Sequence, residues 1–143
     1  MNKVNIVYYS YTGNTLRMVK AFEKGLQDAN VPFKSYSVVE LKDDNEAFDC
    51  EILALASPAN QTEEIEKNYF QPFMKRNAEK FKDRKIYLFG TFGWGSGKFM
   101  SGWIKEVVEL GAKIVELPMA CKGSPNSETK EKLANIAKKI ATM

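Results

Sequence analysis

Ser10-Tyr11-Thr12-Gly13-Asn14-Thr15 gathers the aliphatic hydroxyls of Ser10, Thr12 and Thr15, the Asn14 amide and a glycine into six residues, directly after an apolar run. Where such a loop opens a helix, backbone N–H groups and the positive end of the helix dipole converge on one spot, and an anion is favoured there. Gly13 lets the backbone approach closely, and the side chains add neutral donors without a lysine or arginine among the six. The same residue types also suit an ordinary helix N-cap. Donor density and the position after the first buried strand favour a phosphate. Neither GxxxxGK[ST] nor GxGxxG is present in this turn, so a triphosphate loop or a dinucleotide fingerprint is not what it encodes. A second chemically marked stretch, Thr91-Phe92-Gly93-Trp94-Gly95-Ser96-Gly97, sets a tryptophan between two glycines, where its ring face is free to meet a planar aromatic ligand. Packing is the competing reading for Trp94. A third, Ser57-Pro58-Ala59-Asn60-Gln61-Thr62, also follows a buried run.

Several chemistries are ruled out. The chain has no histidine, which removes His-based triads, general bases and metal ligands. Cys50 and Cys121 form no CxxC and read as small core or near-core thiols. Glu63, Glu64, Glu66 and Lys67 read as a solvated rim, and Lys80 to Lys85 as a solvated helix end. Net charge is +3, from 21 basic and 18 acidic residues interleaved along the chain, a balance that gives no nucleic-acid signature.

The elements that must position these loops are legible from periodicity. Val4 to Tyr9, Ile52 to Ala56 and Lys85 to Thr91 are buried strands, Phe33 to Val38 is a half-covered one, and Ile114 to Leu117 is the last. An acidic loop, Asp43 to Glu46, follows the second strand in chain order. Helical spacing marks Leu16 to Ala29, Gln71 to Phe81, Phe99 to Val108 and a C-terminal face of Leu133, Ile136, Ala137 and Ile140, with Gly111 as a C-cap. Five alternations of strand and helix predict a single α/β domain over 1–143, a parallel sheet with helices on both faces. Ligands of such sheets bind beyond the carboxyl ends of the strands, where all three marked loops lie. A start without a basic n-region or long apolar segment, and no later membrane-length run, lead to the expectation of a soluble, cytoplasmic protein with no membrane partner.

At these residues the chain resembles the flavodoxin family. Ser10 to Thr15 matches the S/T-x-T-G-N-T phosphate loop, and Phe89 to Trp103 closely resembles the second flavin loop of short-chain, clostridial-type members. The resemblance implies a three-layer sandwich with a five-stranded sheet in the order 2-1-3-4-5. It also implies FMN as cofactor, with phosphate on Ser10 to Thr15 and the ring between Ser57 to Gln61 and the Thr91, Phe92, Gly93, Trp94, Gly95 loop. Lys122-Gly123 falls where relatives touch the ribityl chain or ring edge. The implied function is a low-potential one-electron carrier, a monomer passing electrons from a flavodoxin reductase or equivalent donor to redox-enzyme acceptors, with no catalytic residues of its own. Alternatives are a small FMN-dependent quinone reductase and an activator of a metal enzyme such as ribonucleotide reductase. The chain departs from the family pattern in its slightly basic balance and in a Ser57 to Thr62 turn without glycine, aromatic residue or methionine. In that turn Asn60 is the residue expected to take positive φ.

Overall fold

The computed structural model describes residues 2–143. Its elements run β1 (Val4–Tyr8), α1 (Asn14–Asp28), β2 (Phe33–Ser37), α2 (Asp44–Ala47), β3 (Ile52–Pro58), α3 (Phe70–Arg76), a 3₁₀ turn (Ala78–Phe81), β4 (Lys85–Phe92), α4 (Lys98–Glu109), β5 (Lys113–Ile114), β6 (Met119–Lys122) and α5 (Ser127–Ala141). All strand pairs named here are parallel. The order is β2-β1-β3-β4-β5, and β6 pairs with the far end of β4 in the same lane as β5. Five lanes in the order 2-1-3-4-5 result, as expected.

Alternation along the central strands builds two cores. Ile6, Ala54, Ala56, Tyr87 and Phe89 pack with Met18, Val19, Phe22 and Leu26 of α1 and with Leu133, Ala137 and Ile140 of α5. Val7, Leu53, Leu55, Ile86 and Leu88 pack with Phe70, Phe73 and Met74 of α3 and Phe99, Trp103 and Val107 of α4 on the other side. Gly25 of α1 is the tightest point of the first layer, since a Cβ there would lie 2.2 Å from the Ala134 carbonyl oxygen.

Four local expectations need correction. The last strand is not Ile114 to Leu117: the lane opens after Ile114 and resumes at Met119, across a segment containing Pro118, and Leu117 is exposed. Asp43 to Glu46 is not simply a loop. Asp43 accepts the Asn45 N–H at 3.0 Å and caps the one-turn α2, while buried Asn5 donates from below to the carbonyls of Glu46, Ala47 and Asp49. The helical spacing that runs from Phe99 to Val108 implies an apolar face turned to the core, but Val108 faces solvent on α4. Lys80 to Lys85 is also more than a solvated end: Phe81 is buried, and Arg84 donates to the carbonyls of Phe48 and Cys50 at 2.8 and 3.0 Å.

Candidate functional site

The loop after β1 is shaped by what it leaves unsatisfied. Gly13, at φ 94, is the N-cap of α1 and supplies no side-chain cap. Ser10 Oγ accepts the Leu16 N–H at 3.2 Å, and the Arg17 N–H reaches the Gly13 carbonyl at 3.0 Å. The N–H groups of Asn14 and Thr15 come too early in the helix to have intrahelical acceptors. Ser10 keeps its own hydroxyl proton to donate, because its oxygen is the acceptor in that bond. The exposed Thr12 hydroxyl stands beside these donors in sequence.

Buried Thr15 Oγ1 lies 2.7 Å from Thr91 Oγ1, a bond that ties the start of α1 to the end of β4 and so joins the first loop to the third. The sequence reading had no cation in the first loop, but the fold supplies one at its rim. Arg17, one turn into α1, donates to Asn14 Oδ1 at 2.8 Å and lies 3.4 Å from where a Gly13 Cβ would be. Its only sequence signal is the three-residue step from Asn14.

The second loop leaves β3 with Ser57 fully buried, its hydroxyl donating to the Pro58 carbonyl and accepting the Glu66 N–H at 3.0 Å. Ala59 N–H donates to Thr91 O at 2.8 Å, and Ala59 bridges Ile65 in antiparallel fashion, closing the loop into a hairpin. Asn60 holds the tip. Its Oδ1 accepts from Thr62 N, Thr62 Oγ1 and Glu64 N, and its amide donates to the Ile65 carbonyl. The residue with positive φ is Glu63, at 57°, not Asn60. Asn60 instead closes an Asx turn, a role its short carbonyl-bearing side chain fills readily.

Glu66 is likewise not part of a solvated rim. Only 8% exposed, its carboxylate accepts the N–H groups of Asn68, Tyr69 and Phe70 at 2.7 to 2.8 Å and caps α3 from upstream. Glu66 also helps hold the Tyr9 phenol in its un-ionised form: burial pushes that group up first, and the Glu66 carboxylate adds to the effect.

The three loops enclose one cleft of about 530 Å³ at the carboxyl ends of β1, β3 and β4. Tyr11, Thr12 and Asn14 line it from the first loop, Pro58, Ala59, Asn60 and Gln61 from the second, and Thr91, Phe92, Gly93 and Trp94 from the third. Ser10, Gly13 and Thr15 belong to the first loop without lining the cleft; Ser57 is buried beneath it, and Gly95 lies past Trp94. Trp94 is 58% exposed and Tyr11 82%, so both rings are presented rather than packed. Trp103 is the packed indole, 2% exposed and edge-on to Phe70. Sequence reasoning missed Tyr9, Glu66, Lys67 and Asn68 as lining residues. Tyr9 stacks on Tyr69 at 5.8 Å, a pairing that only the folded hairpin creates. Lys122 ends β6 beside a neighbouring depression, and the Gly123 N–H donates to Phe92 O at 2.8 Å, bracing the third loop from behind.

A doubly wound parallel sheet with a neutral donor loop at the first βα turn and an exposed indole at the third defines a mononucleotide-holding α/β protein. The size of the cleft suits a ligand of that class, and the donor set fits a phosphate monoester at one end with a planar ring at the other. The flavodoxin family model matches residues 6–136. A flavodoxin of Clostridium beijerinckii is 31% identical over 140 residues, covering 98% of this chain and all of that one. A flavodoxin of Megasphaera elsdenii is 32% identical over 136 residues, covering 95% and 98%. The solution structure of two-electron reduced Megasphaera elsdenii flavodoxin superposes with a TM-score of 0.83 at 30% identity, over 95% of this chain and 98% of that one. The chain belongs to the flavodoxin family and is similar to its short-chain members. Flavodoxins bind FMN and carry electrons between redox partners. Among the described residues, no helix is long and apolar enough to cross a membrane.

Proposed function

We propose that this chain is a one-electron carrier of low potential that holds FMN in the three-loop cleft, works in the cytoplasm as a monomer, and passes electrons from a reductase to redox-enzyme acceptors. The observation that carries the reading is the pairing, across one cleft, of a donor loop with unclaimed first-turn N–H groups and an exposed Trp94 flanked by Gly93 and Gly95. Bound there, the flavin supplies the redox chemistry, and the protein supplies binding, orientation and electrostatics. In this reading Asn14 and Thr15 N–H, Ser10 and Thr12 orient the phosphate, while Arg17 adds charge at its rim. Pro58 to Gln61 and Trp94 flank the ring and limit water. No acid, base or nucleophile is required, in keeping with a chain that has no histidine.

Protein loaded with FMN, reduced stepwise with dithionite and mixed with oxidised cytochrome c, is expected to deliver its electrons without any added enzyme. NADH or NADPH alone should leave the flavin oxidised. Rapid bleaching by either nicotinamide, with turnover on a quinone, would replace the carrier reading with the quinone reductase.

A further inference from the structure

Glu63 combines two features that its neighbours lack. Its φ of 57° lies in the left-handed region, which Gly or Asn enters more readily than Glu. Its side chain also leaves the hairpin and crosses to the third loop. An ideal Cβ built on Gly95 would lie 2.1 Å from Glu63 Oε1, so the carboxylate packs against the bare backbone of Gly95, which has φ 83. The base from which Glu63 reaches is firm: its N–H donates to Asn60 O at 3.1 Å, and Asn60 N–H donates to Glu64 O at 2.6 Å. The loop it reaches is open on its other side, because Gly93 has nothing within 4 Å of its own would-be Cβ. Trp94 stands between these two glycines at the cleft mouth.

We propose that Glu63 is a positioning residue that braces the Trp94 loop by seating its carboxylate on Gly95, so that the cleft is held ready for the flavin ring. The FMN part of this inference rests on the function proposed above; the brace itself does not need a ligand. Two constraints then meet at one contact. Glu63 takes a backbone conformation that disfavours its side chain, because that conformation aims the carboxylate across the gap, and position 95 is glycine both for its φ and for the space the carboxylate takes.

The test uses the full chain with Trp103→Phe, which leaves Trp94 as the sole indole. Glu63→Asn keeps a residue tolerant of the left-handed turn but shortens the reach by one methylene. Glu63→Gln keeps the reach. In ligand-free protein, acrylamide quenching of Trp94 should rise about twofold and its anisotropy fall for Glu63→Asn, as expected when a loop loses its support. Glu63→Gln should stay near the parent. For FMN, Glu63→Asn should weaken binding by about tenfold, and Gly95→Ala should cost a larger factor in the parent than in the Glu63→Asn background, the non-additivity expected of residues in contact. The brace is overturned by unchanged Trp94 quenching and FMN affinity in Glu63→Asn, by Glu63→Gln losing as much as Glu63→Asn, or by an identical Gly95→Ala factor in both backgrounds. If the parent takes no FMN at all, the functional reading and the claim that binding depends on Glu63 both fall, while the ligand-free quenching result still decides the brace.

Discussion

Replacing Glu66 tests whether the second loop is built as described. The carboxylate is 8% exposed and holds three N–H donors, with Oε1 accepting from Tyr69 and Phe70 and Oε2 from Asn68. Tyr69, the N-cap residue of α3, offers no side-chain cap of its own, so these bonds satisfy the start of the helix. Glu66→Ala strands all three donors. Hydrogen bonds to a charged group contribute about 1.5–3 kcal/mol each, but only the Phe70 N–H lies in a buried bond, and water can partly replace the other two. The expected loss is therefore about 2–4 kcal/mol. With an m-value of about 2 kcal/mol/M, a loss of 3 kcal/mol lowers the urea midpoint by roughly 1.5 M.

Glu66→Gln retains one carbonyl oxygen for Tyr69 and Phe70 and turns an amide N–H₂ towards the Asn68 N–H, so it should lose about half as much. Because the Glu66 N–H also donates to Ser57 Oγ, a loosened hairpin should weaken FMN along with stability. The reasoning is refuted if Glu66→Ala costs under about 1 kcal/mol, within the range of an ordinary exposed cap, or if the Gln and Ala variants unfold at the same midpoint.

Three further outcomes are expected. Gly25→Ala should destabilise the protein by about 2–3 kcal/mol in urea, since its Cβ meets the Ala134 carbonyl, a backbone atom that can yield only if α1 and α5 separate. Asp44 is held below the usual carboxylate range chiefly by its hydrogen bond from Arg76, with burial opposing and Asn77 assisting. Its contribution to stability is present above the unfolded value of about 4 and is lost as pH falls through the lower folded one. Midpoints of wild type and Asp44→Asn, separated at pH 7, should therefore converge as pH drops below about 4. FMN should quench Trp94 strongly in the Trp103→Phe background while leaving the buried Trp103 of a Trp94→Phe variant much less affected, and undiminished Trp94 emission would remove the ring from the third loop.

The strand–helix alternation was readable because each central strand is a nearly continuous apolar run and each long helix carries one clear stripe. The lane order 2-1-3-4-5 entered through the family resemblance; periodicity alone gave a parallel α/β sheet. Ile114 to Leu117 misled because an apolar run has the same appearance whether or not its backbone pairs, and Pro118 lies at the break. Glu66 and Glu63 resembled rim acids for a related reason: charge predicts solvent, and nothing local announces three N–H acceptor duties or a contact with Gly95. The three marked loops were found because their residue types are chemically dense. Glu66, Lys67 and Asn68 reach the same cleft only through the return of the hairpin, which sequence spacing does not encode, whereas Tyr9 adjoins Ser10 and was passed over because the end of an apolar strand run reads as core.

The central claim, that the cleft is an FMN site whose phosphate end is the Ser10 to Thr15 loop, is tested most directly by titrating apoprotein with FMN and riboflavin side by side. Wild type should prefer FMN, and Thr12→Ala, an exposed change that disturbs no core contact, should weaken FMN by about 1–3 kcal/mol while leaving riboflavin almost unchanged. Equal affinity for both ligands, or equal losses in the variant, would contradict it and reduce the loop to a helix cap.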